Sequence, residues 1–174
     1  VSGPANTAIG KDALGGLTTG GYNTAVGKGA LGNATTLIDQ NTAIGRDSMS
    51  GAIVAEDVNF CVAVGDSSLA GALDASSSGT VSIGAYSLNA LTEGGFNVAV
   101  GYGALQDLVD GDQNTAVGYN AMKMGDDTSF NFNTAVGAYA GDEMSDDYAH
   151  EHNTFVGANS GGGTWADAIS SKNV

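Results

Sequence analysis

The chain has 174 residues, a formal net charge of −14, 42% hydrophobic residues, 14% charged residues and 28 glycines. Five basic residues against 19 acids exclude binding to nucleic acid through its phosphates and attraction to an anionic membrane surface, and no apolar run reaches the roughly 18 residues of a membrane span. A single cysteine, Cys61, excludes an internal disulfide, and the opening VSGPAN has no signal-peptide pattern, as expected of a processed product or a piece of a longer chain.

Taken in chain order, the predicted elements are nine copies of one short word. NTAIGKDAL stands at Asn6–Leu14, NTAVGKGAL at Asn23–Leu31 and NTAIGRDSM at Asn41–Met49. CVAVGDSSL (Cys61–Leu69) and TVSIGAYSL (Thr80–Leu88) are degenerate copies. NVAVGYGAL (Asn97–Leu105), NTAVGYNAM (Asn114–Met122), NTAVGAYAG (Asn133–Gly141) and NTFVGANSG (Asn153–Gly161) complete the series. The glycine that ends each NTAVG segment recurs after 17, 18, 20, 19, 17, 17, 19 and 20 residues. A constant word with a variable spacer is the mark of a solenoid, in which the word stacks and the spacer loops outward. The fold class expected is therefore all-β, a parallel β-roll or β-solenoid of about nine coils. It forms one repeat domain over 1–174, with the last coil and the C-terminal segment as its cap.

NTAVG is too short and too β-branched for a helix, so it reads as a strand with alternating faces. The slot before the glycine holds Ile9, Val26, Ile44, Val64, Ile83, Val100, Val117, Val136 and Val156 and never a polar residue. It is expected to form a dry core ladder. The slot two residues earlier, Thr or Val throughout, points the same way. The slot between them is alanine in seven copies, Ser82 in one and Phe155 in the last. Only small residues fit there, which suggests a second layer packed close on that face. The glycine suggests positive φ or close backbone contact at a corner. Four residues beyond it stands Leu or Met in seven copies, then Gly141 and Gly161. That loss, together with Phe155 and Trp165, reads as a cap. Asparagine opens seven of the nine words, and stacked asparagines can hydrogen-bond from rung to rung. The spacers are turn chemistry, rich in Gly, Asp, Ser, Asn and Thr.

Each coil has few core side chains, so the small alanine face is expected to pack against further copies of the chain. A homo-oligomer follows, and a trimer is the natural form for a fibre. At the usual strand spacing, eight steps give a shaft of about 38 Å.

Candidate chemistry is sparse. His150 and His152 would face one way on an extended segment, and three chains around an axis would gather six imidazole nitrogens, a set suited to a transition metal. The alternative is a solvated outward loop. Asp110 and Asp112 offer oxygens at alternate positions, as calcium loops do, though without a downstream bidentate Glu; a tight Asp-Gly turn is the competing reading. Asp142, Glu143, Asp146 and Asp147 make a weaker case for a divalent ion. Tyr102 and Tyr119 share one slot in adjacent coils, with Tyr86 and Tyr139 one residue later in theirs. These rings, and Tyr22, Phe60, Phe96 and Phe132 just before their words, could stack on sugars or cover the ends of the core. No nucleophile elbow, phosphate loop or zinc-ligand spacing stands out, so no catalytic residue and no cofactor is expected.

The words NTAVGYNAM, NTAIGKDAL and NVAVGYGAL resemble repeats of bacteriophage tail fibres, and TVSIGAYSL resembles the S-V-A-I-G words of trimeric autotransporter adhesin heads. The resemblance spans Asn6 to about Gly161. It implies a left-handed, homotrimeric parallel β-roll, extracellular or on a virion, acting as a shaft or head for host attachment with a cell-surface glycan or protein as receptor. Coils of 17 to 20 residues are longer than the adhesin pattern. Two alternatives stand beside it: a self-assembling extracellular β-solenoid filament, and an ice-binding solenoid with an outward threonine ladder. Val62, Val81 and Val98 interrupt that ladder and suit an inward slot better.

Overall fold

The computed structural model describes residues 3–35, 37–53, 57–123, 130–142 and 150–161. The chain is a parallel β-solenoid. Nine three-residue strands form one sheet: β1 (Thr7–Ile9), β2 (Thr24–Val26), β3 (Thr42–Ile44), β4 (Val62–Val64), β5 (Val81–Ile83), β6 (Val98–Val100), β7 (Thr115–Val117), β9 (Thr134–Val136) and β11 (Thr154–Val156). All pairs are parallel and in register, Ala25 on Ala43 and Ala43 on Ala63, so each copy of the word lies on the next. A second, two-stranded ladder pairs β8 (Phe130–Asn131) with β10 (His150–Glu151). The only helix among the described residues is a 3-10 turn at Ala75–Ser77, capped by Asp74.

The opening asparagine holds the coils together. Asn114 donates from Nδ2 to the Phe130 carbonyl at 2.6 Å and accepts the Asn133 amide at 3.0 Å. Asn23, Asn97 and Asn133 make the same pair of bonds, each to the next coil's chain three residues before its word and to that word's first amide. These side chains are fully buried. A second ladder, built from spacer residues expected only to make turns, runs in the opposite sense two positions earlier. Asp39 Oδ1 accepts from Gly21 N at 2.5 Å, Asn59 Oδ1 from Asp39 N at 2.7 Å, Asp112 Oδ1 from Gly95 N at 2.8 Å and Asn131 Oδ1 from Asp112 N at 2.7 Å.

The faces of the strand are the reverse of the expectation. The alanine slot is the interior: Ala25, Ala43, Ala63, Ser82, Ala99, Ala116 and Ala135 are fully buried. The predicted core ladder of Ile9, Val26, Ile44, Val64, Ile83, Val100, Val117, Val136 and Val156 points outward, half-exposed or exposed at every position. The physical reason is the width of the coil. Across the interior stand the Ala or Ser residues of the second segment, close enough for Ser48 Oγ to bond the Ala63 carbonyl at 3.0 Å and Ser68 Oγ the Ser82 carbonyl at 2.9 Å. Only a methyl or a hydroxymethyl fits opposite them. The second layer that the small residues required is thus supplied by the second segments of the chain's own coils, not by another chain.

The leucine slot is inward as expected: Leu31, Leu69, Leu88, Leu105 and Met122 are wholly buried. Each sits at positive φ, for example 52° at Leu69 and 51° at Leu105, a backbone strain sustained by burial of the side chain. Leu73, Leu91, Leu108, Ile38, Val58 and Phe130 fill the remaining side of the core. The corner glycines lie at φ near 140°, and a Cβ on Gly27 would collide with the carbonyl of Gly45 in the coil beyond. In the last copies the packing is exchanged between slots. Phe155 occupies the alanine slot, 6% exposed, and its ring lies where side chains on Gly141 and Gly161 would begin. Trp165 lies outside the described residues.

Three substitutions test this account by thermal or urea unfolding followed by circular dichroism. Asn114→Ala strands a buried carbonyl and a buried amide and lowers stability by about 2–4 kcal/mol. Thr80, in the asparagine slot, has a buried Oγ1 with no hydrogen-bond partner. Thr80→Asn gains about 1 kcal/mol by extending the ladder to the Gly94 carbonyl and the Asn97 amide. Phe155→Ala opens a cavity beside two glycines and costs about 3–5 kcal/mol.

Candidate functional site

Inversion of the strand faces creates the most distinctive surface of the molecule. Two outward ladders run side by side along the nine-stranded sheet, one of Thr or Val, the other of Ile or Val. Neighbours along a ladder are about 4.8 Å apart and neighbours across it about 7 Å apart, from strand geometry. Ile44, Ile83, Val117 and Val136 are 36–40% exposed although coils cover them above and below. No charged residue enters either ladder.

Aromatic side chains border this stripe on one side. Tyr22, Phe60 and Phe96, the residues just before their words, are 61%, 62% and 66% exposed. They stand at φ of 57–63°, and this left-handed turn aims each ring away from the interior. The expectation that these rings cover the ends of the core is therefore not met. Phe132 stacks on His152 in the same column, centroids 4.9 Å apart and rings 3° from parallel.

Past the glycine bend lies the tyrosine column. Tyr102 and Tyr119 stack at 5.5 Å and 14°, while Tyr86 and Tyr139 meet them edge-on at 5.7 Å and 5.2 Å. The stacked pair is thus flanked by a ring at each end, which leaves no open face on it for a sugar. Tyr139 is held above the usual phenol range by a hydrogen bond with the Tyr119 hydroxyl, with desolvation and the nearby Tyr119 and Asp142 charges adding to it.

The histidine pair is separated by the fold. His150 is 1% exposed, inside the coil and edge-on to Phe130, whereas His152 is exposed on the outer aromatic column. Simple alternation fails because His152 sits at φ 60°. The two imidazoles therefore do not face one axis, and His150–Glu151 form strand β10 with a buried His150 rather than a solvated stretch. Asp112 is committed to the second ladder, and Asp110 is exposed on a separate bridge with Glu93. Among the described residues no cluster of three His, Cys, Asp or Glu is placed to hold a metal ion. Asp142 is described; Glu143, Asp146 and Asp147 lie outside the described residues.

A shallow groove of about 470 Å³ opens beside the first three coils, floored by Gly15, Gly16 and Gly29 and walled by Asp12, Lys28 and Asp47. Asp12 and Asp47 are already paired with Lys11 at 3.8 Å and Arg46 at 3.4 Å. Arg46 also binds Asp66 at 2.6 Å, and this hydrogen bond raises its pKa. These pairs are exposed and contribute little to stability.

Cys61 takes the asparagine slot in the fourth coil. Its sulfur donates to the Ser77 carbonyl at 3.4 Å, copying one of the two asparagine bonds, while its own amide is held by Asn41. No family model, curated protein or solved structure matches the chain.

Burial pushes the Cys61 thiol up to about 11. The folded state thus favours the neutral thiol, and its contribution to stability is whole below about pH 9 and falls as pH rises toward 11. The folded chain is expected to resist thiol reagents at pH 8 that label it fully in urea, and Cys61→Ala is expected to flatten the alkaline loss of unfolding midpoint.

Proposed function

We propose that the chain is a non-enzymatic structural segment of an extracellular or virion-borne fibre, of the phage tail-fibre kind its words resemble. It forms a left-handed homotrimer that serves as shaft or head for attachment to a host surface. One observation carries the reading: a solenoid of net charge −14 leaves an uncharged stripe of β-branched side chains open along its whole sheet. Such a stripe is costly to leave in water and is a natural seam between chains. It is also where acidic copies can meet without bringing carboxylates together. Closure about the long axis buries the stripe of every copy alike and leaves no open lateral edge. The buried Asn and Ser and the half-buried Asp side chains support a structural rather than a catalytic role, since they are spent on bonds between coils. The receptor would be a cell-surface glycan or protein held by loops or by segments joined to this one.

The second reading is ice binding, and the outward ladder favours it. Val62, Val81 and Val98 suit an inward slot by composition, but that slot is half-exposed or exposed in all nine strands, as a regular threonine–valine array. An end-to-end filament remains the third arrangement for the same solenoid.

Light scattering separates the three. A mass near three times 17.2 kDa is expected, with Val64→Lys and Val98→Lys together giving a folded monomer. A wild-type monomer that produces thermal hysteresis would transfer the stripe to ice, and a polydisperse polymer would favour the filament.

A further inference from the structure

We propose that Tyr102 and Tyr119 are a built-in site of oxidative cross-linking, where a one-electron oxidant of the peroxidase class, driven by peroxide, joins the two phenols as dityrosine. The site arises from the repeat itself. Both residues follow the corner glycine of their words, and those words are adjacent and in register in β6 and β7. Equivalent positions on parallel strands aim equivalent side chains the same way, so the two rings lie one over the other, 5.5 Å between centroids and 14° from parallel. Near-parallel rings at that distance hold the two phenols within reach of each other for coupling. Tyr86 and Tyr139 close the two ends edge-on, so a radical on either stacked ring has the other as its nearest parallel partner. Both rings are almost half exposed, at 48% and 47%, and open to an oxidant in solution.

The chemistry balances without a cofactor in the chain. Each phenol loses one electron and its hydroxyl proton, giving two phenoxyl radicals. A carbon–carbon bond forms between ring carbons ortho to the oxygens, and each of those carbons then releases its hydrogen as a proton while the ring regains its hydroxyl. The pair loses two hydrogens in total, and one hydrogen peroxide is reduced to two waters. The product is a covalent tie between two coils that hydrogen bonds otherwise hold, in a solenoid without an internal disulfide. The inference is independent of how copies associate, because both rings belong to one chain.

The test treats the intact chain, as an equal mixture of isotope-labelled and unlabelled protein, with hydrogen peroxide and a haem peroxidase over a range of dilutions. The expected product shows dityrosine emission, is lighter by two hydrogens, and yields on digestion one linked peptide pair joining Tyr102 to Tyr119. Its two halves carry the same isotope and its yield does not fall on dilution. Tyr119→Phe and Tyr102→Phe each abolish the pair, whereas Tyr22→Phe retains it. Linked peptides of mixed isotope, a yield that falls on dilution, or equal dityrosine in the two stack variants would overturn the proposal.

Discussion

The structure depends on an asparagine amide reaching from one coil to the next. Its Nδ2 and Oδ1 engage a carbonyl and an amide three residues apart in the following coil, as Asn133 does with His150 and Asn153. Two bonds of opposite polarity to one short segment fix both the distance and the register between coils. A slip by one residue would leave both partners unpaired in a buried site. Parallel stacking, the corner glycines packed carbonyl to Cα, and tolerance of spacers of different length all follow from that clamp. The opposite ladder of Asp39, Asn59, Asp112 and Asn131 holds the same corner from its other side.

Where the clamp is interrupted, the packing changes with it. Cys61 and Thr80 occupy consecutive asparagine slots, and beside them the interior turns polar. Ser68, Ser82 and Ser87 form a buried hydroxyl network, with Ser82 in the slot that is otherwise alanine. At the other end, Phe155 fills the volume that Leu would occupy in its neighbours. Both cases show a coil whose cross-section is conserved as a sum while individual slots trade size. A solenoid allows this because each coil packs chiefly on the two beside it.

The outer surface has the opposite logic. Charge is kept off the sheet and placed on the turns, so the uncharged stripe and the acidic remainder of the molecule are segregated lengthwise. Repetition then multiplies whatever stands in a given slot: a valine becomes an apolar seam, and two tyrosines become a stack. The proposed fibre role and the proposed cross-link both exploit this, one using many weak copies of a contact and the other a single pair.

Much of this was legible from the residues. The word NTAVG, its near-constant spacing and its β-branched positions determined a parallel solenoid, and the recurrence of asparagine determined an interior ladder, because one physical solution was being written nine times. The direction of the strand was not legible. Alternation defines two faces but not which is inner, and here both were free of charge: Val26 and Ile44 on one, Ala25 and Ala43 on the other. Hydrophobicity favoured the larger side chains for the core. Only the closed coil, with Ser48 and Ser68 standing a hydrogen bond away from the strand, decided for the smaller. The same holds for His150 and His152, which a strict two-residue period puts together and one left-handed residue puts apart. Sequence determined what repeats; tertiary structure decided what faces inward, because the width of the interior is set by the chain that closes around it.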